Sequence, residues 1–172
     1  MGISDATLKA SRAILQECRV LVVEDEYLIA ADLAAVLGRA GATVVGPIST
    51  VAGGERVASG DAPLHGAVVD ISLHGEMAWP VADRLAARGV PFVFATGYSR
   101  ACIPERHSNV PCFMKPIMMG QVIKTLVNQM RRPDTPWCSP PLSIRANKME
   151  DNIQGAPAAA HSRGVVRLAK HP

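Results

Sequence analysis

Short apolar runs recur along the chain, and four of them end at an acidic, hydroxyl or basic residue. These are Arg19–Val23 before Glu24-Asp25-Glu26, Gly66–Val69 before Asp70, Val90–Ala95 before Thr96, and Cys112–Met114 before Lys115. Both alternating faces of each run are apolar, which is typical of strands covered by helices on both sides. A further strand is predicted at 42–46. Because ligands bind beyond the carboxyl ends of the strands in open parallel sheets, the four endings are expected to meet at one site.

Segments with helical spacing separate these runs. Their inward positions are, in chain order, Ile29, Leu33, Val36 and Leu37 before Gly41; Val81 and Leu85 before Gly89; and Ile123, Val127 and Met130 after Pro116. Ser49 and Thr50 are candidate caps of another helix, weakened by Gly53 and Gly54. The alternation predicts an α/β fold over residues 18–132, a doubly wound five-stranded parallel sheet with helices on both faces.

The segment from Thr96 to Pro111, called the switch segment below, departs from this alternation. Pro104 interrupts it, so it holds at most one or two helical turns. Outside the domain, residues 1–17 form a short extension in which Leu8, Ile14 and Leu15 predict an amphipathic helix. Residues 133–172 show no sustained periodicity and are predicted to be a disordered tail, without a second output domain.

Composition narrows the class of protein. An apolar fraction of 48% with 19% charged residues is typical of a globular domain, and 172 residues suffice for one. No apolar run is long enough to span a membrane, and no export signal is seen at the N-terminus, so a cytoplasmic location is expected. The net charge of +3 comes without a dense basic patch, so nucleic-acid binding is not expected. The four cysteines have no C-x-x-C spacing, which argues against disulfides and zinc.

Four motifs in order resemble the receiver domain of the response-regulator family. They are Val-Val-Glu-Asp-Glu at 22–26, Val-Val-Asp at 68–70, Phe-Ala-Thr-Gly at 94–97 and Met-Lys-Pro at 114–116. Each alone has a plain structural alternative: acids that complement a helix dipole, a capping Asp70, an ordinary turn at Thr96, and a solvated Lys115. Their joint occurrence, each after a strand, favours the receiver interpretation.

The resemblance implies a phosphorylation site with Mg²⁺ as its cofactor. Asp70 would accept the phosphoryl group as an aspartyl phosphate. Asp25 and Asp70 would bind Mg²⁺ directly and Glu24 through water, since this ion takes oxygen ligands and keeps several waters. The backbone carbonyl of Ser72 would complete the protein ligands. Lys115, aimed inward by a cis peptide bond to Pro116, and the Thr96 hydroxyl would contact the phosphoryl oxygens.

Residues 92–98, Phe-Val-Phe-Ala-Thr-Gly-Tyr, further resemble the FAT GUY subfamily of stand-alone receivers. Three residues before the motif lysine, where other receivers carry an aromatic switch residue, this chain has Cys112, which is interpreted as a small core residue. Tyr98 is the secondary switch candidate, with a partly buried loop aromatic as the equal alternative. The switch segment is predicted to order when Thr96 is drawn toward phosphate.

The expected function is that of a response regulator. A sensor histidine kinase or phosphotransfer protein would phosphorylate Asp70, and the altered surface would regulate a protein partner, form a homodimer, or act only as a phosphate sink. The protein would not be an enzyme beyond its own phosphorylation and dephosphorylation. A Mg²⁺-dependent aspartyl-phosphate hydrolase is the weaker alternative, because such phosphatases need a second Asp where this chain has Ser72. A non-phosphorylated scaffold is another alternative, and DNA binding by the tail is not expected.

The histidines and Trp79 are not expected to take part in the site. His65, His74 and His107 have no ligand spacing with one another and are predicted to be solvated or capping residues. Trp79, before the Pro80 that opens a helix, is predicted to be a packing residue.

Overall fold

The structure of the protein is a computed structural model that describes residues 14–131. The predictions for residues 1–13 and for the tail at 133–172 lie outside the described residues. The main sheet contains β1 (Arg19–Val23), β2 (Thr43–Ile48), β3 (Gly66–Val69), β6 (Phe92–Thr96) and β7 (Cys112–Met114), and a hairpin contains β4 (Ser72–Leu73) and β5 (Glu76–Met77). The helices are α1 (Tyr27–Arg39), α2 (Val51–Ser59), α3 (Trp79–Ala87) and α4 (Met119–Met130).

The main sheet is parallel throughout and has the strand order β2-β1-β3-β6-β7. This order confirms the predicted doubly wound five-stranded fold. The chain runs from β1 outward to β2 and then returns to the other side of β1, so the direction of winding reverses between β1 and β3. Val23 pairs with Val69 there, which places the residues after these two strands side by side. A ligand site is expected where the direction of winding of such a sheet reverses.

Two apolar clusters cover the two faces of the sheet. Alternation along β1 sends Leu21 and Val23 to the cluster under α2 and α3, and Val20 and Val22 to the cluster under α1 and α4. Strand β6 alternates in the same way, with Phe92 and Phe94 on the first face. Both faces of the central strands are therefore buried, as their unbroken apolar sequence predicts.

The helix boundaries follow the caps read from the sequence. Helix α1 ends before Gly41, which has a left-handed φ of 97°, as a residue just beyond a helix often does. The Thr50 hydroxyl caps α2 by accepting a hydrogen bond from the Gly53 N–H at 3.2 Å. A Cβ added to Gly54 would lie 3.0 Å from Cγ2 of Val81 on α3. Gly54 thus allows the close approach of α2 and α3, a reason for glycine that its low helix propensity does not reveal.

Several details depart from the sequence reading. The residues between Asp70 and α3 form the β4–β5 hairpin, for which the sequence analysis gave no strand. The second strand extends to Ile48 and contains a cis Gly46–Pro47 bond, which was not predicted. The switch segment contains two 3₁₀ turns, Arg100–Cys102 and Glu105–His107, on either side of Pro104, in agreement with the expectation of one or two turns.

Within residues 14–131, no helix is long and apolar enough to cross a membrane.

Candidate functional site

Three carboxylates converge where β1 and β3 end. Glu24 and Asp25 directly follow β1, and Asp70 directly follows β3. One oxygen from each carboxylate lies within 4.8 Å of an oxygen of the other two. Glu24 and Asp70 are only 2% and 5% exposed. Oxygen ligands at this spacing form a group that can hold a divalent cation.

Glu24 has one satisfied and one orphaned oxygen. Its Oε1 accepts hydrogen bonds from Lys115 Nζ at 2.8 Å and from the Glu26 N–H at 3.1 Å. Its Oε2 is buried and has no hydrogen-bond partner. Burial raises the pKa of Glu24 above its ordinary value, although the hydrogen bond from Lys115 opposes that rise. A buried carboxylate oxygen without a partner, next to two other carboxylates, fits a hydrated Mg²⁺ in this group.

Lys115 supplies the positive charge of the site from the end of β7. Its Nζ donates to Asp70 Oδ2 at 2.6 Å as well as to Glu24. Burial lowers the pKa of Lys115, but the hydrogen bonds to Asp70 and Glu24 outweigh it, so the pKa lies above the usual value. The Lys115–Pro116 peptide bond is cis, as the resemblance implies. The Lys115 ammonium therefore contacts the carboxylate of Asp70, which is expected to accept the phosphoryl group.

The β4–β5 hairpin donates backbone hydrogen bonds to two of the acidic residues, Asp70 and Asp25. The Ser72 N–H donates to Asp70 Oδ1 at 3.2 Å, so both oxygens of Asp70 are hydrogen-bonded. The Ser72 carbonyl as a metal ligand stays a prediction. The His74 N–H donates to Asp25 Oδ2 at 2.8 Å, and its Nδ1 lies 3.3 Å from the same oxygen. The His74 side chain is 63% exposed, which confirms the predicted solvated residue, but its contacts with Asp25 were not predicted.

Thr96 and Tyr98 are linked at the end of β6. Thr96 is fully buried, and its hydroxyl accepts a hydrogen bond from the Tyr98 N–H at 3.1 Å. The Thr96 carbonyl accepts from the Lys115 N–H at 2.8 Å, which sets β6 and β7 side by side at the site. The Tyr98 side chain is 41% exposed. Its role as a switch residue stays a prediction.

His107 is not the solvated or capping residue predicted from the sequence. It is 3% exposed, its ring lies 6.5 Å from that of Trp79, and its Nε2 lies 2.8 Å from Asp83 Oδ1 on α3. Arg106 donates to both oxygens of Asp83, at 2.8 and 3.2 Å, and this bond chiefly lowers the pKa of Asp83. These contacts fasten the second 3₁₀ turn to α3. The pairing joins positions 24 residues apart, which no local pattern reveals.

The packing roles predicted for Trp79 and Cys112 are confirmed. The Trp79 ring contacts Phe94 edge to face with centroids 5.9 Å apart, and Pro80 lies in the first turn of α3. Cys112 is partly buried against the same cluster as Phe94, and burial raises the pKa of its thiol.

His65 has a specific partner, because its Nδ1 accepts a hydrogen bond from the Arg19 N–H at 2.9 Å.

Solved structures of other proteins resemble this chain. The solution structure of SdrG from Sphingomonas melonis Fr1 is 38% identical, with a TM-score of 0.56, over 67% of this chain and 98% of that one. The BeF3-activated conformation of SdrG, from Pseudomonas melonis Fr1, is 38% identical, with a TM-score of 0.52, over 65% and 94% of the two chains. The REC domain of the Erythrobacter litoralis response regulator PhyR is 24% identical, with a TM-score of 0.61, over 72% and 98%. No protein-family model and no curated protein matches the sequence.

The five-stranded parallel sheet has a flavodoxin-like fold, with acidic residues and a lysine at its carboxyl edge. With 38% identity over nearly the whole of SdrG, the chain belongs to the response-regulator receiver domains of two-component signalling.

Proposed function

We propose that this protein is a response regulator whose Asp70 accepts a phosphoryl group from a histidine kinase or phosphotransfer protein. In that reaction an Asp70 carboxylate oxygen forms a bond to phosphorus, and the bond from phosphorus to the donor's histidine nitrogen breaks. The observation that carries the proposal is the position of Asp70 itself. It is buried, lies 2.6 Å from the Lys115 ammonium, and shares a carboxylate group with Glu24 and Asp25.

The surrounding residues suit this transfer because its catalysis is mainly positioning and neutralisation of charge. Asp25, Asp70, the Ser72 carbonyl and, through water, Glu24 would hold Mg²⁺, which neutralises phosphoryl oxygens. The Ser72 N–H holds Asp70 Oδ1, so the carboxylate is oriented before reaction. Lys115 contacts the other oxygen and would follow the charge onto the phosphoryl group.

The response would begin at Thr96. Its hydroxyl now accepts a hydrogen bond from the Tyr98 N–H, and donation to a phosphoryl oxygen would alter that link at the start of the switch segment. The changed surface would regulate a protein partner, or the protein would draw phosphate from a shared kinase without a partner. The sequence Phe-Val-Phe-Ala-Thr-Gly-Tyr at 92–98 supports placement in the FAT GUY subfamily. The protein would act on no separate substrate.

Intact-mass spectrometry of the full chain with acetyl phosphate and Mg²⁺ tests the proposal. The wild type should gain the mass of one phosphoryl group, Asp70→Asn should gain none, and EDTA should prevent the gain. Asp32→Asn, which alters an exposed acid on α1, is the matched control and should behave as the wild type. An unchanged adduct in Asp70→Asn would contradict the assigned site. No adduct from acetyl phosphate or from any of a panel of phosphorylated histidine kinases would favour the scaffold alternative.

A further inference from the structure

The turn of the β4–β5 hairpin presents a main-chain N–H to the acidic residues. Leu73 pairs with Glu76, so His74 and Gly75 form a two-residue turn. Both have a positive φ, 52° and 84°, as a type I′ turn requires. In this conformation the His74 N–H donates to Asp25 Oδ2 at 2.8 Å. The handedness of the turn therefore decides where this donor points.

The hairpin is fixed to the core, so the fold determines the position of that donor. Ile71 and Leu73 are buried in the cluster under α2 and α3. The Ala78 N–H donates to the Ile71 carbonyl at 2.8 Å and closes the base of the hairpin. The His74 side chain, by contrast, is mostly exposed and lies outside the group of three carboxylates. The main chain of the turn, rather than the imidazole, is the preorganised part.

Asp25 depends on this donor more than the other two acids depend on any single one of theirs. Glu24 and Asp70 are each held by Lys115 and by a main-chain N–H. In the described part of the chain, His74 alone hydrogen-bonds the Asp25 side chain. Asp25 also faces two like charges, because oxygens of the three carboxylates lie within 4.8 Å of one another. Without the His74 N–H, that repulsion would turn the partly exposed Asp25 carboxylate outward.

We propose that His74 is a positioning residue for Mg²⁺, whose left-handed main chain holds Asp25 toward Glu24 and Asp70 and whose imidazole is dispensable. The inference rests on the metal site of the proposed function. Mg²⁺ demands near-ideal octahedral geometry, so a carboxylate that is oriented before binding raises the affinity for this ion. Groups that orient metal ligands are typically worth about 10–100-fold in metal affinity.

Calorimetric titration of the full chain with Mg²⁺ separates the main chain from the side chain. Gly75→Ala is the informative variant, because a Cβ there would meet no atom within 4 Å and only the positive φ is disturbed. It should lose about tenfold or more in Mg²⁺ affinity. His74→Gly removes the imidazole but permits the turn, so its Mg²⁺ affinity should stay within about threefold of the wild type.

Gly89→Ala is the matched control. Gly89 also has a left-handed φ, 66°, and an open space around an added Cβ, but it lies between α3 and β6 at the opposite edge of the sheet. This variant should be destabilised like Gly75→Ala and should bind Mg²⁺ as the wild type does. Wild-type affinity in Gly75→Ala, or an equal loss in His74→Gly or Gly89→Ala, would overturn the inference while the wild type binds Mg²⁺. If the wild type binds no Mg²⁺, the metal site of the proposed function is wrong as well.

The hydrogen bond itself is observed in amide NMR spectra of the metal-free protein. A charge-assisted bond to Asp25 should place the His74 amide proton downfield, and both Asp25→Ala and Gly75→Ala should shift it upfield. His74→Gly should keep a downfield amide proton at position 74. An amide proton that Asp25→Ala leaves unchanged would show that the N–H does not hold the carboxylate, and it would overturn the inference.

Discussion

At the level of single residues, Lys115 is the cation that two buried carboxylates share. Its Nζ lies 2.8 Å from Glu24 and 2.6 Å from Asp70, with Asp25 nearby, so one positive charge faces three acidic groups. Burial raises the pKa of Glu24, which reflects how weakly that carboxylate is solvated. A divalent cation bound to these carboxylates would reduce the imbalance, and the stability of the fold should therefore depend on Lys115 most strongly when metal is absent.

Lys115→Ala should lower the free energy of unfolding in EDTA by about 3 kcal/mol, because it leaves buried carboxylates without their ion-pair partner. The loss should shrink in millimolar Mg²⁺, since a bound cation stabilises the folded state. Urea unfolding with and without Mg²⁺ gives both values. Lys124→Ala, at an exposed position of α4, is the control and should have little effect in either condition. A loss equal in EDTA and in Mg²⁺ would contradict this charge balance.

His65 should make the fold less stable as the pH falls. Burial, with a contribution from the charge of Arg19, lowers the pKa of His65 below its ordinary 6.5 in the folded protein. Its Nδ1 also accepts the Arg19 N–H, so the neutral ring is the form that fits. The unfolded chain then binds more protons, and stability is lost as the pH falls from the unfolded value through the lower folded one.

Denaturant unfolding of the wild type and His65→Asn between pH 5 and 8 checks this. Asparagine offers an acceptor to Arg19 but does not titrate, so the difference between the two proteins should change with pH, to the disadvantage of the wild type in acid. A difference that stays constant with pH would show that His65 does not titrate as described.

At the level of secondary-structure elements, the sequence predicts the main sheet and helices well. Strands such as β3 are buried on both faces and read as short apolar runs, and α1 carries its buried positions Leu33, Val36 and Leu37 at helical spacing. The β4–β5 hairpin was not predicted, because strands of two residues leave no periodic signal. His107 was misread because its burial depends on Asp83 and Trp79, which lie on another element.

Two glycines in helices should respond oppositely to alanine. A Cβ at Gly38 in α1 would meet no atom within 4 Å, so Gly38→Ala should stabilise the protein by about 0.5–1 kcal/mol through helix propensity and lower entropy of the unfolded chain. A Cβ at Gly54 in α2 would lie 3.0 Å from Val81 and 3.3 Å from Val23. Gly54→Ala should therefore destabilise by about 1–2 kcal/mol, since overpacking outweighs propensity. Thermal unfolding of both variants measures these changes in stability. Stabilisation by both substitutions would show that α2 and α3 can separate enough to accommodate a Cβ at position 54.

At the level of the whole molecule, the parallel sheet brings its chemistry-bearing residues together. Glu24, Asp70 and Lys115 follow different strands and are far apart in sequence, yet the lysine contacts both acids. This convergence was predictable, because strand ends in a parallel sheet share one edge. The position of His74 was not, since it depends on the turn of the hairpin that follows Asp70.

Besides the packing of Ile103 and Val110 against the core, polar contacts fix the switch segment near its start and near its end, and only those near its start belong to the site. Near its start, the Tyr98 N–H donates to the Thr96 hydroxyl at 3.1 Å. Near its end, His107 and Arg106 both lie 2.8 Å from Asp83, with the His107 ring buried against Phe94 and Trp79. A conformational change at Thr96 should therefore extend through the first 3₁₀ turn and end at the second. The packed aromatic contacts of His107 are harder to displace than the single hydrogen bond at Thr96.

Amide NMR spectra with Mg²⁺ and BeF3, the reagent of the activated SdrG structure, test this boundary. In the wild type, large shift changes should cover residues 98–103 and decline at 105–107. In Asp83→Ala the changes should extend through 105–107, because His107 and Arg106 lose their shared acceptor. Asp32→Asn is the control for loss of an acidic side chain and should resemble the wild type. Large changes at 105–107 already in the wild type would mean that the Asp83 contacts do not limit the response, and the second turn would then belong to the switching surface.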